Sequence, residues 1–97
     1  MNLYHYTFPR KVSIAEVEAT LLLALLATEA LHGEAEVRLD GGHAFDAKKR
    51  TCIIDAGTAV GRDFVRLFTQ FVRREFGDNA FAVKRVGAKR VSPAAAS

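Results

Sequence analysis

The chain is poor in several things that would announce a chemistry. It holds one cysteine, Cys52, among 97 residues. A lone thiol excludes an internal disulfide and a cysteine zinc cage, and a reducing, cytoplasmic setting is the expectation that follows. No apolar run is long. The longest, Leu21 to Ala27, has seven residues, against the ~20 that cross a bilayer. Glu16 and Glu18 also stand between the basic pair Arg10 and Lys11 and the leucines, which is unlike a signal peptide. A strong charge bias is missing too: the net charge is +3, and part of the excess sits in Lys84, Arg85, Lys89 and Arg90. That is too mild for the footprint of an obligate nucleic-acid binder. There is no internal repeat, so the length accommodates one domain. Residues 1–86 are expected to form it, with 87–97 a flexible basic C-terminal tail.

What is present is well punctuated. LYHYTF at 3–8 is short and aromatic and ends at Pro9, as a strand does, with Tyr4, Tyr6 and Phe8 on one face and Leu3, His5 and Thr7 on the other. Ser13 and Glu16 spell a capping box, and Val12 and Val17 take the positions of a hydrophobic staple. A helix should therefore begin at Ile14. Gly33 supplies its left-handed stop, and His32 suits the negative end of the helix dipole. AEVRLD at 35–40 alternates small or apolar with charged residues, the period of a half-buried strand resuming after Gly41 and Gly42 through His43 to Phe45. DAKKR turns into a further strand, TCIIDA. Thr58 should cap a helix over Ala59 to Phe76, and AFAVKRV should be the last strand. The order β-α-β-β-α-β predicts an α+β fold of the ferredoxin-like split βαβ kind, a four-stranded antiparallel sheet with two helices on one face.

The first helix has more apolar surface than one contact can use. Ile14, Val17, Leu21, Ala24, Leu25 and Thr28 fall on an arc assigned to the sheet. A second arc carries Ala15, Ala19, Leu22, Leu23, Leu26 and Ala30, spaced as in a helix-packing seam and bounded by glutamates. These six residues are the expected partner interface, for a homodimer or a protein partner. The competing expectation is that the second helix or the C-terminal tail covers them.

Sites of chemistry are sparse. Arg62, Arg66 and Arg73 line up within about 40° on the second helix and, together with the basic tail, are the candidate nucleic-acid contact, against the plainer view of a solvated helix face. KRTCIIDA lacks the aromatic pattern by which RNA-recognition motifs stack bases. Base stacking would require Tyr4, Tyr6 and Phe8 to face outward instead. FPRKVSI lacks the glycine-rich loop with arginine found in small acylphosphatases. His5 and Asp55 on the open sheet face are the one conceivable base and orienter, weighed against a surface histidine and a strand-end aspartate. DAGTAVGR has glycines at a strand-to-helix junction but no G-K-[ST], which favours a cap over an anion cradle. Asp40, His43, Asp46 and Asp55 have no ligand spacing. No catalytic set, no cofactor and no metal are therefore expected, and the expected work is protein interaction or self-association through the outer face of the first helix.

Overall fold

The computed structural model describes residues 2–86; the tail expected at 87–97 lies outside the described residues. The elements are β1 (Leu3–Thr7), α1 (Ile14–His32), α2 (Glu34–Asp40), β2 (His43–Asp46), β3 (Thr51–Asp55), α3 (Ala59–Phe76) and β4 (Ala82–Val86). The fold is α+β, with one open four-stranded sheet in the order β2-β3-β1-β4 and every neighbouring pair antiparallel.

Both long helices begin where their caps stand. The Ser13 hydroxyl accepts from the Glu16 amide at 3.3 Å, and Thr58 Oγ1 accepts from the Gly61 amide at 2.9 Å. Each satisfies a donor that the first turn leaves without a partner. Gly33 and Gly77 stop the helices at φ 91° and 95°, the region L residues avoid.

The expectation for AEVRLD is corrected. Residues 34–40 form a helix, α2, so the described chain has three helices rather than two. Glu, Ala, Arg and Leu all favour helix, and only Val37 prefers a strand. Glu34 and Arg38 pair one turn apart at 2.9 Å. The apparent alternation carries no burial pattern, because Val37 is buried whereas Ala35 and Leu39 are exposed. The second strand is therefore only His43–Asp46.

Register sets what faces the helices. Tyr6 pairs with Cys52 and Val83, and Tyr4 with Ile54 and Arg85, so these share one face. Tyr6, Phe8, Cys52 and Ile54 join Val17, Leu21 and Ala24 of α1 and Phe64, Phe68 and Val72 of α3 in a single core. Tyr6 and Phe68 meet edge to face at 4.9 Å, and the Tyr6 hydroxyl shares a 2.6 Å hydrogen bond with Thr69. Tyr6 and Phe8 are thus committed to the interior, which removes the outward-facing register that base stacking on the sheet requires.

Two local features hold the layers in place. The Arg50 guanidinium donates to the carbonyls of Phe8 (3.0 Å), Pro9 (2.7 Å) and Val12, fastening the β1–α1 loop to the β2–β3 hairpin. Gly61 lets α3 approach β3 closely, since a Cβ there would lie 1.9 Å from the Asp55 carbonyl oxygen. Neither role is visible in the local sequence.

Candidate protein-interaction face

α1 is apolar nearly all round, and the structure divides its circumference as the wheel does. Val17, Leu21, Ala24 and Thr28 are buried, with Ile14 and Leu25 half-buried beside them, and Thr20, outside that arc, is buried as well on the side toward α3. The Thr28 hydroxyl donates back to the Ala24 carbonyl at 2.7 Å, so this polar atom sits in the core at little cost. On the opposite side Ala15, Ala19, Leu22, Leu23, Leu26 and Ala30 are all exposed. Leu22, Leu23 and Leu26 remain 53%, 60% and 61% accessible, so neither α3 nor any other described residue covers them.

The face continues into a groove. Thr20 and Leu23 of α1, with Gln70, Phe71, Arg74 and Glu75 of α3, line a mostly apolar hollow of about 360 Å³ on the outer side of the helix layer. At the far end of the same layer His32 Nε2 meets Asp63 Oδ2 at 2.8 Å and pins the end of α1 to the start of α3. This pairing was missed from sequence because its partners are far apart in the chain. Leu31 and Leu39 are also exposed apolar residues; a strand over 35–40 would put Leu39 on the same face as Val37, whereas the helix turns it to the surface.

Arg62, Arg66 and Arg73 are all exposed on α3. Arg66 Nη1 lies 3.7 Å from Asp63 Oδ1, and Arg73 Nε donates to Asp78 Oδ1 at 2.8 Å. The register brings Tyr4 to the same flank: with Ala56, Arg62, Val65 and Arg66 it lines a crevice of about 130 Å³. The Arg85 guanidinium stands 6.0 Å from the Tyr4 ring centroid. The aromatic neighbour that the sequence stripe lacked therefore comes from β1, visible only once the sheet register is known.

His5 and Asp55 are not brought together as a pair. His5 is opposite Ile53, and Asp55 is opposite Leu3. Asp55 Oδ1 accepts from the Gly57 amide at 2.8 Å instead. In DAGTAVGR the Gly61 amide is occupied by the Thr58 cap. Asp46 Oδ1 accepts from the Lys49 amide at 3.1 Å in the hairpin turn, and His43 Nδ1 meets the Gly41 carbonyl at 3.0 Å. Among the described residues no three His, Cys, Asp or Glu side chains gather closely enough to hold a metal ion. Burial pushes the Cys52 thiol up to about 12 and the Tyr6 phenol up to about 12, so both stay neutral inside the core. No helix of the described residues is long and apolar enough to cross a membrane.

No family model, no curated protein and no solved structure matches the chain.

Proposed function

We propose that this protein is a non-catalytic self-association module, acting in the cytoplasm, whose contact is the outer face of α1. The supporting observation is the contiguous exposure of Leu22, Leu23 and Leu26 beside small Ala15, Ala19 and Ala30. Each leucine has roughly half its surface still wet, so covering it is worth about 1 to 1.5 kcal/mol. Three from each of two copies give about 6 to 9 kcal/mol before the cost of association, and the alanine and groove contacts have to supply at least a comparable amount for a micromolar dimer. The strand order is proposed to be a ferredoxin-like split βαβ plan in which α2 is an added element between α1 and β2. The buried neutral Cys52 suits a reducing compartment.

The test is the mass of the full chain in solution by light scattering, beside the Leu22→Glu/Leu26→Glu variant. The proposal expects a dimer that the double variant converts to a folded monomer. An unmodified chain that is monomeric, with the variant behaving identically, refutes it, as does protection of the leucines by the chain's own tail.

A second proposal, nucleic-acid binding by Arg62, Arg66 and Arg73, is favoured by one specific feature: Tyr4 and Arg85 adjoin that stripe. Its mark is affinity for a single-stranded oligonucleotide that falls steeply with salt and is lost in Arg62→Ala/Arg66→Ala.

A further inference from the structure

The two helices of the outer layer carry opposite charge. α1 has three glutamates and no lysine or arginine, while α3 has four arginines against one aspartate and one glutamate. Their placement is lateral as well. Thr20 and Leu23 line the groove against α3, so that side of α1 faces its neighbour. Glu29 lines a different hollow with Val37 and His43, on the side away from α3. Glu18 falls about 20° from Glu29 on the wheel and belongs to the same edge. Across the outer surface the order is therefore an acidic edge, the leucine face, the groove, and then the flank with Arg66 and Arg73. Arg74 and Glu75 line the groove itself and cancel, while Glu16, the third glutamate of α1, stands beside Glu75 in a neighbouring hollow toward the start of α1, so one acid lies on the groove side and two form the acidic edge.

That order distinguishes the two ways in which a two-fold axis lying in the contact plane can pair this face with itself. An axis perpendicular to α1 makes the two α1 helices antiparallel and sets acidic edge on acidic edge and arginine flank on arginine flank. An axis parallel to α1 sets each acidic edge against the other copy's arginine flank. The heights agree with the second. His32 is level with Asp63, and Thr20 and Leu23 are level with Gln70 and Phe71. Glu29 therefore stands level with Arg66, and Glu18 with Arg73, within about one helical turn. The macrodipole term opposing parallel helices is small and screened by salt.

Resting on the self-association proposed above, we infer that the occupant of the groove is a second copy of this chain, related by a two-fold axis parallel to α1. Leu22 and Leu26 of each copy seat toward the Leu23–Phe71 groove of the other. Glu18 and Glu29 of each copy meet Arg73 and Arg66 of the other across the rim. Arg66 and Arg73 also keep their pairings within the chain with Asp63 and Asp78. Rim charges of this kind set register and orientation more than affinity.

The experiment uses the full chain carrying Ala19→Cys or Ala30→Cys, the two positions that lie between Leu26 and Leu23 on the wheel and so nearest the axis, oxidised singly and as a mixture; Cys52 is buried and does not compete. The parallel axis brings each new thiol to its own counterpart, so each variant cross-links alone. The perpendicular axis puts residue 19 opposite 30 and holds like thiols about 16 Å apart, beyond the ~7 Å Cα reach of a disulfide. Glu18→Arg/Glu29→Arg should also weaken dimerisation about tenfold, and mixing it with Arg66→Glu/Arg73→Glu should restore it. A dimer by mass that cross-links only in the mixture, or not at all, overturns this arrangement and leaves self-association standing. A monomer overturns both.

Discussion

Removing the Arg50 guanidinium offers the sharpest test of how the sheet and the first helix are joined. The side chain donates to the carbonyls of Phe8, Pro9 and Val12. The residue itself holds φ at 56°. In Arg50→Ala three charge-assisted bonds are lost, and partly buried carbonyls are left to water. At about 1 kcal/mol for each bond, the expected loss is roughly 3 kcal/mol. Arg50→Gly loses the same bonds but relieves the left-handed backbone, so it should be more stable than Arg50→Ala by about 1 kcal/mol. Arg50→Lys keeps the charge without the fork and should fall between Ala and the parent. Urea unfolding followed by far-ultraviolet circular dichroism reads all three; with a slope near ~1 kcal/mol per molar, Arg50→Ala should move the midpoint down by about 3 M or leave the chain unfolded in buffer. A loss under about 0.5 kcal/mol, or alanine more stable than glycine, would refute the clamp.

Further outcomes follow from single positions. Gly61→Ala puts a methyl where the Asp55 carbonyl already stands, and should cost about 2 to 3 kcal/mol in the same denaturation assay. Tyr6 and Cys52 both have folded pKa values raised to about 12, above their ordinary 10.0 and 9.0. The native state keeps protons that the unfolded chain releases, so their contribution is complete below about pH 9 and is lost as pH climbs toward 12. The urea midpoint should fall through that window, and Tyr6→Phe/Cys52→Ala should flatten the fall. For the His32 and Asp63 contact, whose side chains are 23% and 34% accessible, a double-mutant cycle with alanine at each site should give a coupling of about 0.5 to 1 kcal/mol.

The helices were legible because their signals are local. Ser13 and Thr58 start α1 and α3 and Gly33 and Gly77 end them, each by an interaction spanning only a few residues. The alternation of Tyr4, Tyr6 and Phe8 put them on one strand face for the same reason, while the side of the sheet that this face meets is decided only by the packing of Tyr6 and Phe8 against Phe68. AEVRLD misled because in six residues a period of 2 and a period of 3.6 can both be satisfied, and the helix propensity of Glu, Ala, Arg and Leu was given too little weight against it. The exposure of Leu22, Leu23 and Leu26 was an inference from surplus: a helix of this width has one sheet-facing side, and the other leucines must go elsewhere. What could not be read were the long-range meetings. Arg50 with the β1–α1 loop, His32 with Asp63, Tyr4 with the arginine stripe and Gly61 with β3 all depend on register and on the approach of elements distant in the chain.

The central claim is that α1 carries an interface for a second copy. Sedimentation equilibrium of the unmodified full chain over a range from micromolar to several hundred micromolar tests it most directly. The account predicts a mass that rises with concentration toward twice the 10.6 kDa of one chain, and a Leu22→Glu/Leu26→Glu variant that stays at one chain throughout. A single-chain mass for the parent protein across the whole range would contradict it.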